Sequence, residues 1–219
     1  MKDGKIKRAL AIGLTGGIGS GKTEVGMILE SMGAYFIQAD LVARDLINTD
    51  ESVKRKVRSV FGSEVYHADG MLDRQQIGKR IFGNQSLQNK INQIVHPPVI
   101  EYIERELDKQ IANPARSLIV VEAALIYEAR IESMFDYTVV VDADAENRIV
   151  RLMKRDGRNR EEILKRFQAQ LSQGSKISKA DFVIYNSGSL QSLKPQCEFM
   201  FKLFSTISNS NASSQLKGV

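Results

Sequence analysis

Residues 8–33 read RALAIGLTGGIGSGKTEVGMILESMG, and within them Gly16-Gly17-Ile18-Gly19-Ser20-Gly21-Lys22-Thr23 fits the pattern G-x-x-x-x-G-K-S/T. The run just before it, residues 8–14, is mostly apolar, as a strand buried on both faces of a parallel sheet must be. After it, Val25, Ile28, Leu29 and Met32 fall at helical spacing, and Gly33 stands where a helix stops. Strand, glycine-rich turn and helix together form the context in which this pattern holds phosphate. The glycines let backbone N–H groups converge on phosphate oxygens, and the start of the helix adds the positive end of its dipole. Gly17, Gly19, Ser20, Gly21, Lys22, Thr23 and Glu24 are therefore expected to line a nucleotide site. Lys22 is expected to reach the β- and γ-phosphates and the Thr23 hydroxyl to ligate magnesium. A glycine-rich turn that merely links strand to helix is the alternative, but it does not require Lys-Thr at the helix start.

Working outward, YFIQA (35–39) reads as a second strand with Asp40 just beyond it. Further apolar, β-branched runs at LIVVEAAL (118–125), YTVVVDA (137–143) and FVIYN (182–186) alternate with helical pattern. That alternation predicts a parallel five-stranded sheet covered by helices on both faces, a three-layer α/β sandwich. The stretch 44–113 is too long for a simple crossover and reads as a helical insertion. It includes PPVIEYIERELDKQIAN, where Pro97 suits a first helical turn and Ile100, Ile103, Leu107 and Ile111 form one stripe. The sheet core is expected in 1–43, 114–145 and 178–204, a lid in 146–177, and a disordered Ser/Asn-rich tail in 205–219.

The 219 residues are 42% hydrophobic and 26% charged, the balance of a globular protein with a sizeable core. One cysteine, Cys197, excludes an internal disulfide and fits a reducing compartment. The positive N-terminus runs into the glycine loop rather than into a small-residue cleavage site, which reads as cytoplasm and not export. No apolar stretch has the length of a membrane span, and a monomer or weak homo-oligomer is expected. The formal charge of +5 suits anionic ligands of many kinds. More telling is its distribution: residues 148–179 hold ten Lys/Arg against three Asp/Glu.

The loop alone does not choose between kinases, switches and motors. Asp40, at the end of a strand expected next to the first one, would present a carboxylate at the sheet's carboxyl edge. There it accepts a proton from a hydroxyl or holds a magnesium-bound water, or else it only caps the following helix. Arg44 shares a helical face with Asp40 if a helix starts there. Arg148, Arg151 and Arg155 recur at i, i+3 and i+7, which puts three guanidinium groups on one helix face while Ile149, Leu152 and Met153 serve the packed side. Such a face closes over phosphates or is simply solvated. Glu122 ends an apolar strand as a Walker B acid does, or is a buried structural acid. His96, before Pro97-Pro98, reads locally as a residue that leads into a helix.

The run GLTGGIGSGKTEVGMILESMGAYFIQADLVARDL resembles the N-terminal signature of dephospho-coenzyme A kinases. LDRQQIGKRIF, INQIVHPPV, VVEAALIYE, RLMKRDGRN with a later RFQAQ, and KADFVIYNSG resemble successive segments of that family, in order, from about residue 9 to 190. The ordered set Asp40-Leu-Val-Ala-Arg44, His96-Pro97 and Ala180-Asp181…Asn186 is more specific than the loop. The resemblance implies an ATP- and magnesium-dependent kinase of the P-loop nucleoside-triphosphate hydrolase-like fold that acts on the ribose 3′-hydroxyl of dephospho-CoA. It implies Asp40 as general base, Arg44 and His96 at the acceptor site, and Arg151 with Arg155 in a mobile lid over ATP. Gln38 stands where the family usually has another acid, and Ala124 where it commonly has proline. Against this stand other small-metabolite or nucleoside-monophosphate kinases, a regulatory ATPase or GTPase, which here has no N-K-x-D-like segment, and a nucleic-acid binder, suggested only by charge.

Overall fold

In a computed structural model, which describes residues 8–81 and 83–214, the chain divides into two compact units, 1–38 with 107–219, and 39–106. The first unit is built on five parallel strands: β1 (Leu10–Thr15), β2 (Tyr35–Gln38), β3 (Leu118–Glu122), β4 (Tyr137–Asp142) and β5 (Phe182–Tyr185). Their order in the sheet is β2-β3-β1-β4-β5, and every neighbouring pair is parallel. All six residues of β1 are buried, which explains why its sequence is a continuous apolar run and not an alternating one. One face of the sheet, carrying Leu10, Ile12, Leu14, Leu118, Val120, Val139 and Val141, packs on Val25 and Leu29 of α1 (Lys22–Ser31) and on Leu193, Cys197, Met200 and Phe204 of α9 (Leu190–Ser214). On the opposite face Gly13 leaves room for Ile126 and Phe135, because a Cβ there would overlap both side chains.

Two sequence expectations are corrected in this unit. β2 does not lie beside β1; β3 runs between them, so the carboxylate beside the loop's own strand is that of Glu122. Nor does the ordered chain end near residue 205, since α9 continues to Ser214. Phe204 is buried against the Tyr137 and Phe182 rings, and the buried Ser208 hydroxyl donates to the Arg8 carbonyl at 2.8 Å. These anchors order a stretch whose composition alone suggests disorder. Residues 215–219 of the expected tail, and 1–7 of the positively charged N-terminus, lie outside the described residues.

Burial in α9 also pushes the Cys197 thiol up to about 11. The thiolate fraction near pH 8 then falls by about 100-fold, and side-chain burial adds a steric block. Cys197 in the folded protein is expected to react with a disulfide reagent at least about 100-fold more slowly than free glutathione. Rapid stoichiometric modification without unfolding would contradict that burial.

Between the strands at the other end of unit one's chain run α6 (Ala145–Asp156), α7 (Arg160–Gln168) and α8 (Gln173–Ile177). The second unit holds α2 (Ala39–Thr49), α3 (Glu51–Phe61), α4 (Arg74–Ile81) and most of α5 (Gln85–Ile111). Asp50 caps α3 by accepting from the Ser52 and Val53 amides, and Asp73 caps α4 through the Gln75 and Gln76 amides. Arg80 ties the two together by donating to the Phe61 carbonyl and to Glu64. α5 does not begin at Pro97 as expected from sequence; it runs from Gln85 straight through Pro97 and Pro98. Val95, Val99, Ile103 and Leu107 are buried at i, i+4, i+8 and i+12, so one packed stripe spans the prolines and offsets the backbone hydrogen bonds they remove.

Candidate active site

The N-terminus of α1 is the centre of the site. Its N-cap is Gly21, at φ 90°, a residue with no side chain to cap the helix. The first amides of a helix have no partner within it, so an uncapped N-terminus preceded by a glycine loop presents donors and a positive dipole end to an anion. A side chain at Gly21 would be strained at that φ and would overlap the Asn186 amide. The Ser20 hydroxyl is fully buried and makes no hydrogen bond to the described protein, and a phosphate oxygen in the loop would accept it. Lys22 is buried and donates from Nζ to the Gly16 and Gly17 carbonyls at 3.1 and 3.3 Å, which keeps its charge over the loop. Glu24 lies in the first turn of α1, where its backbone amide suits an anion and its carboxylate does not.

Beside the loop, the Thr23 hydroxyl donates to Glu122 Oε1 at 2.8 Å, and Gln38 Nε2 donates to Oε2 of the same carboxylate at 3.2 Å. Strand pairing produces this cluster: Gln38 and Glu122 are register partners on β2 and β3, and Leu14 of β1 pairs with Glu122. Gln38 thus supplies a neutral donor at the position where the family resemblance leads one to expect an acid. No group of three or more His, Cys, Asp or Glu suited to a metal is found among the described residues. Magnesium in phosphoryl-transfer sites is held by one or two protein oxygens together with phosphates and waters, and the Thr23–Glu122 pair fits that requirement.

The basic segment differs from the expected arginine face. Arg148 is buried, with Nε donating to the Ile18 carbonyl at 2.9 Å and the guanidinium 4.0 Å from the Phe167 ring centroid. Burial lowers its pKa from the ordinary guanidinium value, while nearby Asp142 acts in the opposite sense. Arg148 therefore braces the loop instead of standing in a solvent-facing row, and Met153, expected on the packed side, is exposed. Arg151 reaches the loop's far end: it donates to the Asn186 carbonyl at 2.7 Å and to the Ser20 carbonyl at 3.5 Å. Arg155 is not brought to the loop and pairs with its neighbour Asp156 at 2.7 and 3.0 Å.

Asp40, Arg44 and His96 all belong to the 39–106 unit. Asp40 and Arg44 are exposed one turn apart at the start of α2, a helix that does begin where the shared face of these residues requires. His96 lies inside α5 rather than leading into it; partial burial lowers its pKa and favours the neutral imidazole.

Sequence reasoning missed three contributors. The buried Asn186 donates from Nδ2 to the Ser20 carbonyl at 2.8 Å, a role its place in a family motif could have suggested. Gln170 and Gln173 accept from the Ile18 and Gly17 amides at 3.1 and 2.8 Å. Gln170 sits in the RFQAQ segment, but nothing local marks Gln173.

The family model described as "Dephospho-CoA kinase" matches residues 10–192. A dephospho-CoA kinase of Carboxydothermus hydrogenoformans is 39% identical over 185 residues, which is 84% of this chain and 89% of that protein. Among solved structures, a Thermus thermophilus protein superimposes with a TM-score of 0.71 at 31% identity, over 90% of this chain and 98% of the other. Dephospho-CoA kinase from Campylobacter jejuni does so at 0.63 and 22% identity, over 90% and 98%, which supports the fold alone. With a phosphate-binding loop of the right construction inside a match that spans most of its length, the chain belongs to the dephospho-CoA kinase family of P-loop kinases.

Proposed function

We propose that this protein transfers the terminal phosphoryl group of ATP to the ribose 3′-hydroxyl of dephospho-CoA, giving CoA and ADP, the last step of coenzyme A biosynthesis. The observation that carries this reading is the family match over residues 10–192, set on a loop whose helix N-terminus has no side-chain cap. Amides at the start of α1 and Lys22 bind the phosphates, and Arg151 lies against the loop's end to offset charge that develops in transfer. Thr23 and Glu122 are the residues that would hold magnesium. The metal would supply charge neutralisation to the transferring phosphoryl group.

Asp40 acts as general base. It takes the proton of the acceptor hydroxyl as the 3′-oxygen bonds to phosphorus and the bond to the ADP oxygen breaks. Its place two residues beyond Gln38, at the carboxyl end of β2, and the Asp40–Arg44 motif support this role. Arg44 and His96 bind the acceptor, the former by charge and the latter as a neutral donor or acceptor. Arg155, exposed near the end of α6, joins the nucleotide by exchanging Asp156 for phosphate, a side-chain movement that leaves Arg148, Gln170 and Gln173 against the loop. A cytoplasmic setting is part of the same proposal, supported by the lone buried thiol of Cys197.

The test is acceptor choice. With ATP and magnesium, ADP release is expected to be on the order of 100-fold or more faster with dephospho-CoA than with nucleoside monophosphates or water, and the new phosphate to sit on the 3′-oxygen. Comparable rates with a monophosphate would return the chain to another branch of the P-loop kinases.

A further inference from the structure

The Gly17–Ile18 part of the loop is held from outside by side chains of one segment, 148–173. Gln173 bridges two elements: Oε1 accepts from the Gly17 amide at 2.8 Å, and Nε2 donates to the Val141 carbonyl at the end of β4 at 2.9 Å. Gln170 accepts from the Ile18 amide at 3.1 Å, while Arg148 donates to the Ile18 carbonyl. Both backbone groups of Ile18 are therefore taken, as is the amide of Gly17. The segment that carries the glutamines is itself fastened. Lys176, fully buried, donates to the Ala124 carbonyl at 2.6 Å and pairs with Glu128 at 2.8 Å, and Glu128 also accepts from the Leu171 amide at 3.0 Å.

A glycine-rich loop has much conformational freedom to lose when it grips a phosphate chain, and affinity rises when that freedom is removed beforehand. We propose that Gln170 and Gln173 are positioning residues for ATP, acting through the Ile18 and Gly17 amides to hold the phosphate-binding loop in its receptive shape before nucleotide arrives. This rests on the loop being the ATP site. The two glutamines are not equivalent. Gln170 needs only an acceptor oxygen, whereas Gln173 must accept and donate at once, which a carboxylate does not do.

Gln170→Leu, Gln173→Leu, Gln170→Glu and Gln173→Glu test this by two readouts: hydrogen exchange at Gly17 and Ile18 in the nucleotide-free protein, and steady-state kinetics. Each leucine variant is expected to speed exchange at its own amide by about tenfold or more and to raise the KM for ATP by about 5- to 10-fold, with kcat within about threefold. Gln170→Glu is expected to restore slow exchange at Ile18, because a carboxylate also accepts from that amide, while its charge beside the phosphates keeps the KM raised; Gln173→Glu is expected to restore neither. Should Gln173→Leu not fold, the Gln170 pair decides alone. Faster exchange with an unchanged KM in a leucine variant, unchanged exchange there, or failure of Gln170→Glu to slow exchange at Ile18 would each overturn the proposal. A lowered KM would also overturn it, since the glutamines would then compete with nucleotide. If ATP leaves the amide signals of residues 16–23 in the unaltered protein unshifted, the ATP reading itself falls, and the proposal with it.

Discussion

Lys22→Ala is expected to lower kcat/KM for ATP by about 100- to 1,000-fold, the loss typical of one preorganised charge donor at a transferring group. The ammonium is buried and already lies over the loop, bonded to the Gly16 and Gly17 carbonyls, so it has little distance to travel to the β- and γ-phosphates. Because its stem fills buried space, Lys22→Met separates charge from packing: it keeps most of the volume and removes the ammonium. Both variants are expected to show the same kinetic defect, with the methionine protein closer to the original in thermal stability. Unchanged ATP kinetics in either would remove the loop from the reaction.

Asp40→Asn is expected to lower kcat by about 100- to 10,000-fold while ATP binding, followed by equilibrium titration, stays within about threefold. Asparagine keeps the shape and loses the base. The substitution also separates the two readings of this residue. Asp40 is exposed in the first turn of α2, where a carboxylate stabilises the helix dipole by about 0.3–1 kcal/mol. If that were its whole contribution, the variant would lose a little stability and almost no activity. A proton-accepting role predicts the reverse, with the protein nearly as stable and almost inactive.

Much of the sheet was legible because parallel strands buried on both faces must be apolar throughout, and such runs stand out at 10–15, 118–122 and 137–142. Their order was not. A run of valines carries no mark of its neighbour, and the placement of β3 between β2 and β1 is a pairing of residues far apart in the chain. That placement is what brings Glu122 to Thr23 and leaves Gln38 as its hydrogen-bonding neighbour. The helical reading failed where local rules were overruled by packing: α5 passes through two prolines because its buried stripe continues on both sides of them, and α9 outlasts its Ser/Asn-rich composition because Phe204 and Ser208 have partners.

The arginine series shows the same limit at the site. Spacing placed Arg148, Arg151 and Arg155 on one face, yet the first is buried under the loop, the second touches its exit and the third pairs with Asp156. A helix fixes which side chains share a face; it does not say what that face meets.

By itself, then, the chain's order of residues determined the phosphate-binding loop, the strand-turn-helix that presents it and the family to which it belongs, because these depend on contacts within a few residues and on backbone freedom that only glycine permits. Only the tertiary structure decided which distant side chains hold that loop: Gln173 lies 156 residues from Gly17 and Asn186 lies 166 residues from Ser20. A hydrogen bond between such residues depends on the path of the whole chain, and no local pattern encodes it.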